Sequence, residues 1–255
     1  MAKKTLEKKL DAENVMTAVP AAYEYYKGLA ERIIYIDTEI DEELDSLRPV
    51  KQIIRWNMED AGIIPSKRKP IYLLFYSYGG DANLCTATID AIRASKTPII
   101  GVNLGVAYSA AAYMYIACPT RYMFERASLL FHQGSAQFSG DFRTIMPAIQ
   151  QYQAKVEKLA EIVKEFTNIP DDEVEESIID EWYMYSDEAV EKGAADYIIK
   201  DLNDIFNTDI RKKANAKRKA EEKAKAERRA AAAAEEEAAK EAASEEQPAE
   251  EASEN

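Results

Sequence analysis

The stretch KPIYLLFYSYGGDANLCTATIDAIRASKTPIIGVNLG, residues 69–105, decides the fold. Its first part, KPIYLLFYSY, is an apolar, aromatic-rich run that ends at Gly79-Gly80 and reads as a buried strand. Residues 81–95 follow with a helical pattern, and TPIIGVNLG is a second strand. Working outward, ERIIYI (31–36) is a strand and DEELDSLRPVKQIIRWNM (41–58) a helix. On the other side SAAAYMYIA (109–117) is helical, and RYMFE (121–125) and ASLLFH (127–132) are strand-like. Strands separated by helices of this length predict an α/β fold with a largely parallel sheet. No proline interrupts the strands.

Residues 141–166 differ in kind. Apolar residues recur at Ile145, Ile149, Tyr152, Val156, Leu159, Val163 and Phe166, which lines one stripe of a long helix with Asp141 as its N-cap. The stripe packs either on the helix's own core or against another subunit.

The chain has 255 residues, 47% of them hydrophobic, enough to bury a real core. Three parts are expected: a polar N-terminal segment over 1–28 with an aromatic cluster at Tyr23, Tyr25 and Tyr26, a folded domain over 29–210, and a low-complexity Ala/Glu/Lys/Arg tail over 211–255. The tail has strong helix propensity but no apolar stripe to bury, so a solvated helix running into disorder is expected rather than a docking arm.

A net charge of −13 opposes nucleic-acid binding. The tail holds 11 basic and 12 acidic residues, so the acidity belongs to the first 210 residues. Cys85 and Cys118 stand too far apart for a Cys-x-x-Cys unit and signal neither a disulfide framework nor a zinc site. No apolar leader and no window of 18 apolar residues occurs, so a cytoplasmic chain without a membrane span is expected.

The chemistry gathers around one serine. His132, the only histidine, sits in LLFHQGSA at the end of an apolar run, where a strand delivers it to a sheet edge. Ser109 in GVAYSAAAYMYIA follows a buried strand and opens an Ala-rich helix. It either caps that helix or presents its hydroxyl, with the next backbone N–H, at a positive helix end suited to acyl transfer. The glycines of YSYGGDAN allow a second backbone element to approach a substrate closely. They lack the Lys-Ser/Thr of a P-loop and the further glycine of a dinucleotide fingerprint, so no ATPase activity is expected of this chain. A third residue, a carboxylate, should orient the imidazole, and spacing alone selects none.

Together YYKGLAERIIYI, IYLLFYSYGG, GVAYSAAAYM, LLFHQ and MYSDEAVEKGAADYI, spread over about Tyr25 to Phe206, resemble the proteolytic subunit of the Clp protease family. These are serine peptidases of the crotonase-like fold, built of repeated β-β-α units with a protruding long helix. The resemblance implies that Ser109 is the nucleophile, His132 the base, and Gly80 and Ala110 the donors of an oxyanion hole. The family's triad aspartate lies seven residues before the Glu-Ala of its closing helix, a position held here by Glu181, with Asp180 beside it as the alternative. No cofactor or metal is implied. The resemblance further implies heptameric or tetradecameric rings around a closed chamber, polypeptide substrates, and a separate AAA+ unfoldase. Ser77-Tyr78-Gly79-Gly80 stands where the family has Ser-Pro-Gly-Gly. The charged tail is similar to scaffolding regions fused to bacteriophage head-maturation proteases, which makes capsid processing the enzymatic alternative and an inactive ring subunit the non-enzymatic one. Acyl-CoA chemistry would share the fold only.

Overall fold

The computed structural model describes residues 26–41 and 47–245. The expected aromatic cluster therefore lies outside the described residues except for Tyr26, as does the first part of the helix expected from residue 41.

Seven strands form one sheet: β1 (Ile33–Ile36), β2 (Ile71–Ser77), β3 (Ile99–Tyr108), β4 (Thr120–Phe124), β5 (Ser128–Phe131), β6 (Trp182–Tyr185) and β7 (Tyr197–Ile199). The order β1-β2-β3-β4-β7 is parallel throughout. Strand β3 is long enough to serve two neighbours: its first half, Ile100–Asn103, pairs with β4, and its last part, Val106–Tyr108, pairs in parallel with β5. Asn103 stands at the fork. Its side-chain amide donates to the Ser128 carbonyl (2.9 Å) and its side-chain oxygen accepts from Gly105 N–H (3.0 Å), so groups freed by the split are satisfied. Strand β6 closes the edge antiparallel to β5, with Phe131 opposite Trp182.

Helices α1 (Arg48–Glu59), α2 (Ala82–Ala94) and α3 (Ala110–Ile116) pack one face of the sheet into the main core. Asp81 caps α2 by accepting from Asn83 and Leu84 N–H, both at 2.8 Å. All seven residues of α3 are buried, and its small alanines let it lie close to β3. A short 3-10 turn (Leu202–Phe206) and a smaller cluster of Tyr72, Tyr122, Ile199 and Ile205 occupy the other face.

Helix α4 (Phe142–Phe166) begins as its cap predicts, with Asp141 accepting from Thr144 N–H at 2.9 Å. The reading in which the stripe packs on the helix's own core holds over its second half. Leu159 and Val163 are buried in the main core, whereas Ile145, Ile149, Tyr152 and Val156 are only half-buried and Phe142 is 77% exposed. After α5 (Asp171–Ser177), β6 and α6 (Ser186–Glu191), the chain passes through β7 to α7 (Thr208–Glu245).

Helix α7 is not simply solvated. Ala214 is buried, Asn215 accepts from the Thr120 hydroxyl (2.6 Å), Arg218 donates to the Cys118 carbonyl (2.6 Å), and Arg229 pairs with Asp171 (3.1 Å). Lys225 donates to the carbonyls of Lys164 and Thr167 at the end of α4. Burial and the neighbouring Arg121 push the Arg218 guanidinium below its usual range. The expectation of a solvated tail fails over this half because the docking is polar, and no apolar stripe is needed for it. No helix of the described residues is long and apolar enough to cross a membrane.

Two buried ion pairs tie the layers. Arg121 and Asp196 meet at 2.6 Å with side chains 1% and 5% exposed, and Arg121 also donates to the Phe166 carbonyl at 2.7 Å. Asp60 receives both Arg32 nitrogens (2.6 and 2.8 Å) and the Thr97 hydroxyl (2.9 Å), so the Arg32 hydrogen bonds hold its carboxyl below the usual range.

Asp196→Ala leaves the Arg121 charge buried without its partner and should cost about 3–5 kcal/mol in chemical denaturation. Asp60 has a lowered folded-state pKa, so its contribution is present above the unfolded carboxylate value of about 3.9 and is lost as the pH falls through the lowered value. Asp60→Asn should therefore lower stability at neutral pH and flatten the acid limb of a stability profile.

Candidate active site

Ser109 follows β3 directly and starts α3. Its backbone sits at φ 52°, ψ −127°, a region that non-glycine residues rarely occupy. The turn is held by the Ser109 N–H, which donates to the Leu130 carbonyl of β5 at 2.8 Å. This backbone turns the side chain away from the helix end: the hydroxyl makes no capping bond. It meets His132 instead, with Oγ and Nε2 2.8 Å apart. The alternative in which Ser109 merely caps α3 is thereby excluded.

His132 comes from the end of β5, and its segment is fastened on three sides. The Tyr113 hydroxyl of α3 donates to the His132 carbonyl at 2.8 Å, and the Tyr152 hydroxyl of α4 donates to the Gln133 carbonyl at 3.0 Å. Gln133 donates its N–H to Ile178 O (2.9 Å) and its side-chain amide to Ile179 O (3.1 Å). Tyr152 reads in the sequence as an apolar-stripe residue and Tyr113 as part of an Ala-rich helix, and nothing in their spacing announces hydroxyls aimed at these carbonyls.

The glycine turn passes close over the serine. A Cβ on Gly79 (φ 103°) would lie 2.7 Å from both Ser109 Cβ and Tyr108 O. On Gly80 (φ 145°) it would lie 2.1 Å from Ile40 O. Ile40 bonds to the Gly79 carbonyl (2.8 Å) and to the Asp81 N–H (2.7 Å) in a parallel bridge, a pattern that sends the Gly80 N–H to the opposite side. The Ala110 N–H is at the first helical position of α3 and has no partner within the helix. Gly80 and Ala110 line the same cleft as Ser109 and His132, a space of about 490 Å³ whose far wall is α4.

The carboxylates are placed differently. Glu181 directly precedes β6 and lies outside any helix. The β5–β6 ladder ends with Phe131 opposite Trp182, so His132 and Glu181 each lie one residue beyond its last pair. Among the described residues no hydrogen bond joins His132 to either Glu181 or Asp180. Glu181 accepts instead from the Tyr183 hydroxyl at 3.1 Å, which raises that phenol's pKa. Cys85 lies beneath the site with Sγ 3.3 Å from the Ala110 carbonyl. Burial pushes its thiol far up, so it is not a rival nucleophile.

The Clp protease family matches residues 16–201 of this chain. Among curated proteins, ATP-dependent Clp protease proteolytic subunit 2 of Treponema denticola is 29% identical over 181 residues, covering 70% of this chain and 87% of that protein. Proteolytic subunit 1 of Mycobacterium tuberculosis is 29% identical over 178 residues (69% and 85%), and proteolytic subunit 2 of Rhodococcus jostii 25% identical over 178 residues (69% and 87%). The match spans most of the chain and runs through the glycine turn, the strained serine and the histidine strand. The sheet and its covering helices agree with the crotonase-like fold, and the chain belongs to the Clp protease family of serine peptidases.

Proposed function

We propose that the protein is a serine endopeptidase that cleaves polypeptides as the proteolytic partner of an ATP-driven AAA+ unfoldase. The observation that carries this reading is the 2.8 Å approach of His132 Nε2 to Ser109 Oγ on a backbone whose conformation serves no helix cap. In the proposed reaction His132 Nε2 takes the hydroxyl proton as Ser109 Oγ attacks the scissile carbonyl. Negative charge developing on the carbonyl oxygen is met by the N–H groups of Gly80 and Ala110. The imidazolium returns its proton to the leaving amine, and a water repeats the sequence on the acyl-enzyme. Glu181 is the proposed acid. It reaches the imidazole by leaving Tyr183, and its arm is one methylene longer than that of an aspartate.

The half-buried Ile145 and Ile149 with exposed Phe142 and Met146 support a ring whose subunits cover the first half of α4. The relatives, named as proteolytic subunits of an ATP-dependent protease, support the ATPase partner. No observation favours the capsid-processing alternative over this one.

Ser109→Ala and His132→Ala should each abolish fluorophosphonate labelling and peptide hydrolysis with circular dichroism unchanged; persistent hydrolysis in Ser109→Ala would overturn the mechanism. Glu181→Gln should reduce turnover far more than Asp180→Asn, and the reverse ranking would transfer the role. Tyr113→Phe removes one bond to the His132 carbonyl and should lower kcat by roughly tenfold, in line with about 1.4 kcal/mol for a hydrogen bond that positions a catalytic group. Light scattering should give a multi-subunit mass that falls in an Ile145→Glu, Ile149→Glu variant, and a wild-type monomer at micromolar concentration would contradict the ring.

A further inference from the structure

The far wall of the cleft holds one feature that peptide-bond hydrolysis does not use. Tyr152, Lys155, Val156 and Leu159 of α4 line the space that opens at Ser109, and Lys155 is a half-buried residue there. Three other cations drawn into the body have carboxylates at hand, Arg32 with Asp60, Arg121 with Asp196, and Lys164, on the same helix, with Glu161 and Glu175, and Lys225 has the Lys164 and Thr167 carbonyls. Lys155 has no carboxylate within 4.0 Å among the described residues. The polar groups around it are already committed. The hydroxyls of Tyr113 and Tyr152 and the Gln133 amide all donate to main-chain carbonyls. Asp81, the one carboxylate lining the cleft, accepts from two N–H groups at the start of α2, where the helix end partly offsets its charge.

A cation that lines the cleft without a counter-ion is available to a ligand carboxylate, which would gain a charge-assisted hydrogen bond there. We propose that Lys155 forms a subsite for an acidic side chain of the substrate beside the scissile bond, so that the enzyme prefers to cut next to Asp or Glu. The inference rests on the peptidase reading above and adds a substrate class to it. It is local, since the net charge of −13 repels acidic peptides at long range and only a short-range contact can reverse that.

The test uses the full chain and internally quenched peptides carrying Glu or Gln in turn at each position flanking the cleaved bond. Active sites are counted in every variant by fluorophosphonate labelling of Ser109. At one position the wild type should show a kcat/KM about tenfold higher for Glu than for Gln, a ratio that shrinks as salt is raised. Lys155→Met should bring the ratio to about one, and Lys155→Glu should invert it and favour Lys at that position. A wild-type ratio near one at every position, or a preference for Glu that survives Lys155→Met, would overturn the subsite. Absence of both labelling and hydrolysis in the wild type would instead overturn the peptidase reading, and the subsite with it.

Discussion

The buried guanidinium of Arg121 is where the layers of this protein meet. It leaves β4, pairs with Asp196 at the start of β7, and donates to the last turn of α4 through the Phe166 carbonyl. A helix end carries unsatisfied carbonyls and a partial negative charge, and α4 receives cations there from two directions: Arg121 from the sheet and Lys225 from α7. The charge that would be expensive to bury alone thus fixes the end of the helix that walls the cleft. Arg93 and Arg218 approach the same Phe166 ring at 5.6 and 5.9 Å, adding cation–π contacts at this junction. Without that junction α4 would lack a defined angle to the sheet, and its Tyr152 would have no fixed reach to Gln133.

The geometry around Ser109 depends on this rigidity. A left-handed backbone at a non-glycine residue persists only where the surroundings over-determine it. Here β5 receives the Ser109 N–H, α3 continues from it without a break, and Gly79 presses on it at a distance that admits no side chain. The strain is held by the sheet fork. Because β3 changes partner from β4 to β5, its final residues and the histidine strand run side by side, and the serine and histidine emerge at the same edge.

The main outline of this arrangement is legible in the sequence. Apolar runs mark β1 to β5, the helical spacing marks α2 and α4, and Asp141 caps as its position predicts. What escapes has physical causes. Strands β6 and β7 each bury a single residue, Met184 and Ile199, so neither stands out as a buried run. The docking of α7 uses Asn215, Arg218, Lys225 and Arg229, so a search for apolar periodicity passes over it. The pairing of Ser109 with His132 is suggested by their order in the chain, yet the positive φ that makes it possible belongs to a residue type that gives no sign of it. Tyr113 and Tyr152 act through hydroxyls on otherwise apolar faces. The carboxylate is the least legible member, since Asp180 and Glu181 stand side by side just before β6 and no pattern in residues 178–185 separates them.

Helix α7 has a consequence of its own. It is one continuous helix of 38 residues, about 57 Å long, yet its last described anchor to the body is Arg229. The segment before that point cannot unwind without giving up bonds to β4, α4 and α5. Up to Glu235 the described residues beyond it make no hydrogen bond or ion pair to the body, and a stretch rich in alanine and glutamate that relies on intrinsic propensity is marginal near ambient temperature. A single rod therefore has two stabilities, with amide protection falling off shortly past Arg229. On heating, ellipticity would decline in two stages even where the catalytic body unfolds in one, and an apparent midpoint taken from the helix signal would describe neither.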